Sequence, residues 1–387
     1  MNKQDLERQL VEWRHALHQC PEPPMEERET AAYVAEELKR MGLDVQTGIG
    51  GTGLVASLKA GNGTDVIGLR ADMDALGFEE LTELPYKSRK SGWTHACGHD
   101  GHMAMLLGAA KILSEDQDFD GTVRFVFQPA EEPGLGAKAM IADGLLEQFP
   151  MDEIYGIHNA PQLPAGSFHT RAGGLKASED DFVVKIYGKG SHASYPHMSK
   201  DPIVIAAQIV LAFQTIVSRS VDPLDPVVVS CTDIRTDGIR NSIPSHAEIT
   251  GDVRCFKAEN QDLVEGRMRK IAQSICSMYD AECEVIYSRE FIPTVNDAGC
   301  VETAVAAAER VAGKEKVNGN CEPDATSEDF AVYAARIPGC YMFLGSRREE
   351  RPEETVALHN PHYDFNDDVL LAGAEYLAEI IKIRLGR

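Results

Sequence analysis

No Cys-x-x-Cys pair occurs in the 387 residues, and the nine cysteines, at positions 20, 97, 231, 255, 276, 283, 300, 321 and 340, are scattered and odd in number. That distribution argues against a disulfide framework and for a reducing compartment, so a cytoplasmic protein is expected. Positive charge is scarce as well: 38 Lys and Arg face 61 Asp and Glu, a net charge of −23. A surface of that sign repels phosphate backbones and acidic membranes, so neither nucleic acid nor a membrane is an expected partner. Its plain service is solubility.

Apolar runs long enough to span a bilayer are missing. The longest, Pro202 to Ser218, contains Gln208 and Gln214 and falls short of the roughly 20 residues required; it reads as a buried or interface helix. The opening MNKQDLERQLVEWRH carries charges throughout, without the apolar centre of a signal peptide. There is no internal repeat, no low-complexity segment and no phosphate-cradling loop; Gly61 to Gly63 is a turn signal.

What is present suits an ordinary globular chain of two to three domains with a sizeable core. Leu6, Leu10, Val11, Trp13 and Leu17 recur at helical spacing, as do Ala31, Val34, Leu38 and Met41, with Pro21, Pro23 and Pro24 between the two sets. Strands are expected at Gly53 to Leu58, Val66 to Ala71, Thr122 to Gln128 and Glu153 to His158, and helices at His102 to Leu113 and Leu135 to Ile141. This alternation implies an α/β sheet, whose chemistry lies at the carboxyl ends of its strands. Asp72, Glu131 and His158 are expected there.

After Gly173-Gly174 the order becomes strand (Phe182 to Tyr187), helix (Ile203 to Ser218), strand (Val227 to Thr232), strand (Ala247 to Arg254), helix (Gln261 to Tyr279), strand (Glu282 to Ser288). This βαββαβ order is ferredoxin-like. Past Pro293 the chain resumes helix and strand, with Cys340 to Leu344 a strand and Asp367 to Leu385 a closing helix. If His359 shares a site with His99, the last segment rejoins the first domain and the middle one is an insertion. The expected domains are 1–180 with 293–387, a mixed, largely parallel sheet flanked by helices, and 181–292, an inserted α+β lid.

The chemistry concentrates in Cys97-Gly98-His99-Asp100-Gly101-His102, Glu131-Glu132, His158 and His359. Thiolate, imidazole and carboxylate are the groups that bind first-row divalent metals. Alone, Cys-x-His also fits a small buried thiol, paired acids also fit a solvated loop, and a single histidine also fits a structural role. Gly98 and Gly101 permit a tight turn before a helix, where backbone amides can help to lower a thiol pKa and a metal would deprotonate it outright. His158 is read as ending its strand, with Asn159-Ala160-Pro161 turning the chain. Two adjacent carboxylates permit one to bind metal and the other to take a proton from water. In Leu358-His359-Asn360-Pro361-His362 either histidine suits ligation.

The motifs GLRADMDAL from Gly68, HACGHDGHMAMLLGAA from His95, QPAEEPGLGAKAMIADG from Gln128, GIHNAPQLPAG from Gly156, GKGSHASYPH from Gly188, NSIP from Asn241, SEDF from Ser327 and LHNPHYDFNDD from Leu358 span nearly the whole chain. Together they resemble the M20 peptidase family of aminoacylases and carboxypeptidases. Within it they are similar to the amidohydrolase branch of hippurate hydrolases, N-acyl-amino-acid and N-acetyl-diaminopimelate deacetylases and plant auxin-conjugate hydrolases. The resemblance implies a catalytic α/β domain with an inserted lid that commonly dimerises, and hence a homodimer or higher homo-oligomer.

It further implies one or two divalent ions, zinc, manganese, cobalt or nickel, held by Cys97, His99, Glu132, His158 and His359, with Cys97 bridging. Glu131 matches the general base, which deprotonates a metal-bound water that attacks the amide of a small N-acyl amino acid or short peptide. His192 resembles the residue that stabilises the oxyanion, in its own subunit or across a dimer. Asn241 and Arg254 are candidates for holding a substrate carboxylate, Arg254 as a bidentate fork. Other branches have His-x-Asp where this chain has Asp72-Met73-Asp74, so Asp74 is read as an outer carboxylate that orients a histidine ligand. His95, His102, His197 and His362 are assigned supporting roles. The competing readings are a dipeptidase or carboxypeptidase of the same fold, a thiol hydrolase with Cys97 as nucleophile, and a non-catalytic binding protein.

Overall fold

The computed structural model describes residues 2–348 and 355–386. They divide into two compact units, one of residues 1–175, 294–323 and 329–387, the other of 176–293 and 324–328.

The first unit is built on an eight-stranded sheet. Its order is Asp44–Ile49, Gly53–Ala60, Gly121–Gln128, Val66–Asp72, Glu153–Pro164, Gly339–Arg347, Phe168–His169 and Val317–Asn318. The four central strands, from Gly121–Gln128 to Gly339–Arg347, run parallel; Gly53–Ala60 on one side and Phe168–His169 on the other join them antiparallel, and the last strand, Val317–Asn318, pairs parallel with Phe168–His169. The sheet is therefore mixed and largely parallel at its centre. Central strands covered on both faces favour apolar residues; Val66–Asp72 is buried at every position but its first, and its two charged residues, Arg70 and Asp72, are paired with each other. One face packs on the helices Lys3–His18, Arg28–Arg40, His99–Glu115, Ala298–Ala312 and Leu370–Leu385, the other on Gly136–Ala142 and Ala331–Ala334.

Helix His99–Glu115 is buried almost all round. Its glycines make that possible: a Cβ on Gly108 would lie 2.5 Å from Leu10 and 2.7 Å from Ala374. The helix that brings two histidines inward is thus wedged between the first and last helices of the chain.

The second unit carries a four-stranded antiparallel sheet in the order Val227–Thr236, His246–Cys255, Glu179–Tyr187, Glu282–Phe291, with helices Pro202–Arg219 and Ala258–Met278. The two inner strands are the first and third in sequence, the ferredoxin-like arrangement. It has its own apolar core, in which Phe182, Ile209, Phe213, Ile249 and Met268 are buried.

One local expectation fails. The strand that carries His158 does not end there but runs to Pro164. Beyond His158 it still pairs with its parallel neighbour, Asn159 with Leu344 and Ala160 with Gly345, so these backbone groups are satisfied by a ladder and no turn is needed.

Candidate metal centre

The site grows from the ends of the central strands. Asp72 closes Val66–Asp72, and Met73 and Asp74 continue from it. Glu131 and Glu132 follow Gly121–Gln128 after a turn in which Ala130 takes φ +47. Gly98, at φ +95, caps His99–Glu115. A side chain there would be strained by that backbone angle and would strike the amide of Asn159, 2.5 Å from its Oδ1. His359 adopts φ +61, and its backbone amide donates to the Ala96 carbonyl at 2.9 Å.

These turns gather the ligating atoms. In each of the groups Cys97, His99 and His158, then Cys97, Glu132 and His359, then His99, Glu131 and Glu132, they lie within 4.8 Å of one another. Cys97 Sγ is 3.5 Å from His158 Nε2, and Glu132 Oε1 is 3.4 Å from His359 Nε2 and 3.9 Å from His99 Nε2. His362 belongs to none of these groups; it lines a surface hollow with Leu81 and Asp364. Of the two histidines of that loop, His359 is the one whose ring lies beside Cys97 and Glu132.

Hydrogen bonds at the far ring nitrogens fix which nitrogen faces inward. His99 Nδ1 lies 2.9 Å from the Asp74 carbonyl and 3.3 Å from Asp74 Oδ1. His158 Nδ1 lies 2.8 Å from the Asn159 carbonyl. Both Nδ1 atoms therefore carry a proton, so that in the neutral ring Nε2 is the nitrogen with the lone pair. Asp74 also accepts from the backbone amide of Glu132 at 3.0 Å, so it steadies one histidine and one glutamate together.

Cys97, His99 and Asp72 are buried. Burial and the neighbouring Glu132 push the Cys97 thiol well above its ordinary pKa. Any lowering by the helix amides is outweighed: in this buried, anionic surrounding a thiolate depends on a cation. Burial opposes charge on His99, yet Asp72 outweighs it and holds the imidazole well above its usual range. Burial likewise opposes ionisation of Asp72 and Glu132, but His99, His102 and Arg70 hold Asp72 well below the carboxylate range, and His359 lowers Glu132. His99 Nε2 and Glu132 Oε1 are buried with no hydrogen-bond partner. Inward lone pairs, thiol, carboxylate and unmet polar atoms are together the donor set that a divalent cation satisfies.

Behind these residues runs a chain in which His102, expected in a supporting role, has partners that the motifs did not name. Arg70 donates to Asp72 at 2.8 Å, Asp72 meets His102 Nδ1 at 2.6 Å, His102 Nε2 meets Asn159 Oδ1 at 2.6 Å, and Asn159 donates to the Tyr363 hydroxyl at 2.6 Å. One signal pointed to it. His102 lies one helical turn from His99, and so on the same helix face.

The remaining candidates lie in the second unit. His192 is exposed on the two-residue strand Ser191–His192, paired with Ser242, and its Nδ1 accepts from the Ser194 amide at 3.1 Å. Asn241 is adjacent, its carbonyl accepting from the Ala193 amide at 3.0 Å. Arg254 is engaged by Glu179 at 2.8 Å and by Asp252 at 3.0 Å.

The model of peptidase family M20/M25/M40 matches residues 68–383. A hippurate hydrolase of Campylobacter jejuni is 40% identical over 97% of this chain and 96% of its own length. Thermostable carboxypeptidase 1 of Saccharolobus solfataricus is 37% identical over 96% of this chain and 94% of its own. A solved structure from Bacillus subtilis, described as a dinuclear metal-binding peptidase from the M20 family, superposes with a TM-score of 0.86 at 32% identity, covering 99% of both chains.

Proposed function

This chain belongs to peptidase family M20/M25/M40 and is a metal-binding hydrolase of amide bonds, and from that premise we propose that it cleaves N-acyl amino acids with Glu131 as general base. Cys97, His99, Glu132, His158 and His359 would hold one or two divalent ions, of zinc, manganese, cobalt or nickel. The observation that carries this reading is the convergence of five side chains, from four separate stretches of sequence, in overlapping clusters, with His99 Nε2 and Glu132 Oε1 buried there without a hydrogen-bond partner among the described residues.

Ions held there supply Lewis acidity, polarising the scissile carbonyl and acidifying water. The protein's own part is positioning and proton traffic. Glu131 Oε2, 3.9 Å from His99 Nε2, takes one proton from the attacking water and delivers it to the amide nitrogen. The C–O bond forms, the C–N bond breaks, and a carboxylic acid and a free amine leave with Glu131 restored. His192 donates from its imidazole to the oxyanion. Asn241 and Arg254 receive the substrate carboxylate, for which Arg254 exchanges one of its two acidic partners.

We take 181–292 as a lid that also dimerises the protein. Its helix Pro202–Arg219 is long and apolar enough to cross a membrane, yet only a third of it is buried, and Leu211 stands 71% exposed. An apolar face of that kind suits a second copy of the chain. All nine cysteines are free, in keeping with a cytoplasmic setting.

Glu131→Gln tests the reading, because it keeps shape and removes the base. The expected result is metal content equal to the parent with turnover of hippurate down by about 10²–10⁴-fold. Parental turnover would remove Glu131 from the mechanism. The similarity to a carboxypeptidase favours a second reading, peptide hydrolysis at the same centre. Faster cleavage of dipeptides than of N-acyl amino acids by the parent would select it.

A further inference from the structure

The glutamate pair hangs from a turn that its own sequence does not favour. Ala130, directly before Glu131, has a left-handed backbone and is fully buried. Alanine rarely rests at positive φ, so surrounding contacts must over-determine the turn. On its carbonyl side, Ala130 accepts from Gly136 at 2.9 Å and Leu135 at 3.2 Å. On its amide side it donates to Oε1 of Glu27, at 2.9 Å.

Glu27 comes from the segment Pro21-Glu22-Pro23-Pro24-Met25-Glu26-Glu27, about a hundred residues away and without a place in the reaction so far. It has no solvent exposure. Its Oε1 also accepts from the Met25 amide at 2.9 Å, and its Oε2 accepts from the Thr52 hydroxyl. A buried carboxylate satisfied by two backbone amides and a hydroxyl is a rigid anchor. Two residues further on, Asp74 takes the Glu132 amide at 3.0 Å. Two buried carboxylates thus pin the backbone on either side of Glu131.

We propose that Glu27 is a positioning residue for the hydrolysis: by holding the Ala130 amide it sets where the Glu131 carboxylate stands, while Asp74 separately holds Glu132. The proposal rests on Glu131 being the general base. Displacing a reacting group by about 1 Å costs up to about 10²-fold in rate, whereas substrate binding and metal affinity do not depend on that group.

The test compares Glu27→Ala, Glu27→Gln and Glu27→Asp with the parent and Glu131→Gln. Readouts are kcat and KM for hippurate, zinc affinity by calorimetric titration, and hydrogen exchange at the Ala130 amide. Glu27→Gln retains an acceptor oxygen and is expected within about threefold of the parent. Glu27→Ala is expected to lose about 10²-fold in kcat at parental KM and zinc affinity, with faster exchange at Ala130. Glu27→Asp keeps the charge but withdraws the acceptor by one methylene. It is expected to show the same pattern at about tenfold, and it carries the test should Glu27→Ala not fold.

Parental kcat in zinc-loaded Glu27→Ala or Glu27→Asp, with exchange at Ala130 accelerated, would overturn the proposal while leaving the base assignment intact. A kcat loss that only tracks zinc loss would overturn it too, reducing Glu27 to a structural role. An active Glu131→Gln would instead remove the reading beneath it.

Discussion

Single buried carboxylates behave differently according to what faces them. Asp72 is surrounded by His99, His102 and Arg70, which together hold it ionised against the cost of burial. Asp180, in the second unit, has only Arg289 as cationic company. Burial pushes its carboxyl up to about 6, although Tyr287 donates to it at 2.8 Å and Gln261 donates as well. The unfolded value is 3.8, so the folded state prefers the proton. That preference is fully felt below pH 3.8, is lost as pH rises through 6, and is absent above. The shift corresponds to roughly 3 kcal/mol. Asp180→Asn keeps an acceptor for Gln261 and carries no charge. Urea unfolding is expected to find the variant more stable than the parent by up to about 2–3 kcal/mol at pH 8, with the gap closing by pH 4. A gap independent of pH would mean that Asp180 is not the group that titrates.

At the level of elements, a glycine sets the start of the helix that carries His99. A Cβ on Gly98 meets both an unfavourable φ of +95 and the Asn159 amide. Gly98→Ala should therefore cost at least about 1–2 kcal/mol from the backbone angle alone. By displacing Asn159 it should also loosen His102 and weaken metal binding about 10- to 100-fold, as outer-residue changes do. Denaturant unfolding and metal titration check both; parental values in each would show that the turn tolerates a side chain. The helix itself was legible from apolar spacing, and its start moved from His102 to His99 because Gly98 caps it. The strands were legible too, since runs such as Thr122 to Gln128 are apolar between their ends but for Arg124. The end of the strand at His158 was not, because Asn159-Ala160-Pro161 reads as a turn and only pairing with Leu344 and Gly345 keeps it extended. The partners of Glu27 and His102 were equally hidden, although the spacing of His102 from His99 placed both on one helix face. The hydrogen bonds join residues 103 and 57 apart, and no local periodicity records such partners.

Across the whole molecule, negative charge is distributed with a consequence for stability. The chain carries −23, and part of the acid is inside the first unit: Glu27, Asp72, Asp74, Asp100 and Glu131 are all buried there, against Arg14 and Arg70 among the fully buried arginines. A bound divalent cation offsets that excess, so occupancy stabilises the folded first unit by mass action, about 2.7 kcal/mol at a free metal concentration a hundred times Kd. The second unit has its own core and sheet and contains none of the five proposed ligands. Calorimetry should then show two transitions that respond differently. Chelation is expected to lower the transition of the first unit by about 5–10 °C, leaving that of the second within about 2 °C. Two transitions that fall together would mean that the units unfold as one. A first transition indifferent to chelator would mean that the buried acids are neutralised by protons, as the raised pKa of His99 permits, and that the centre gains no stability from metal.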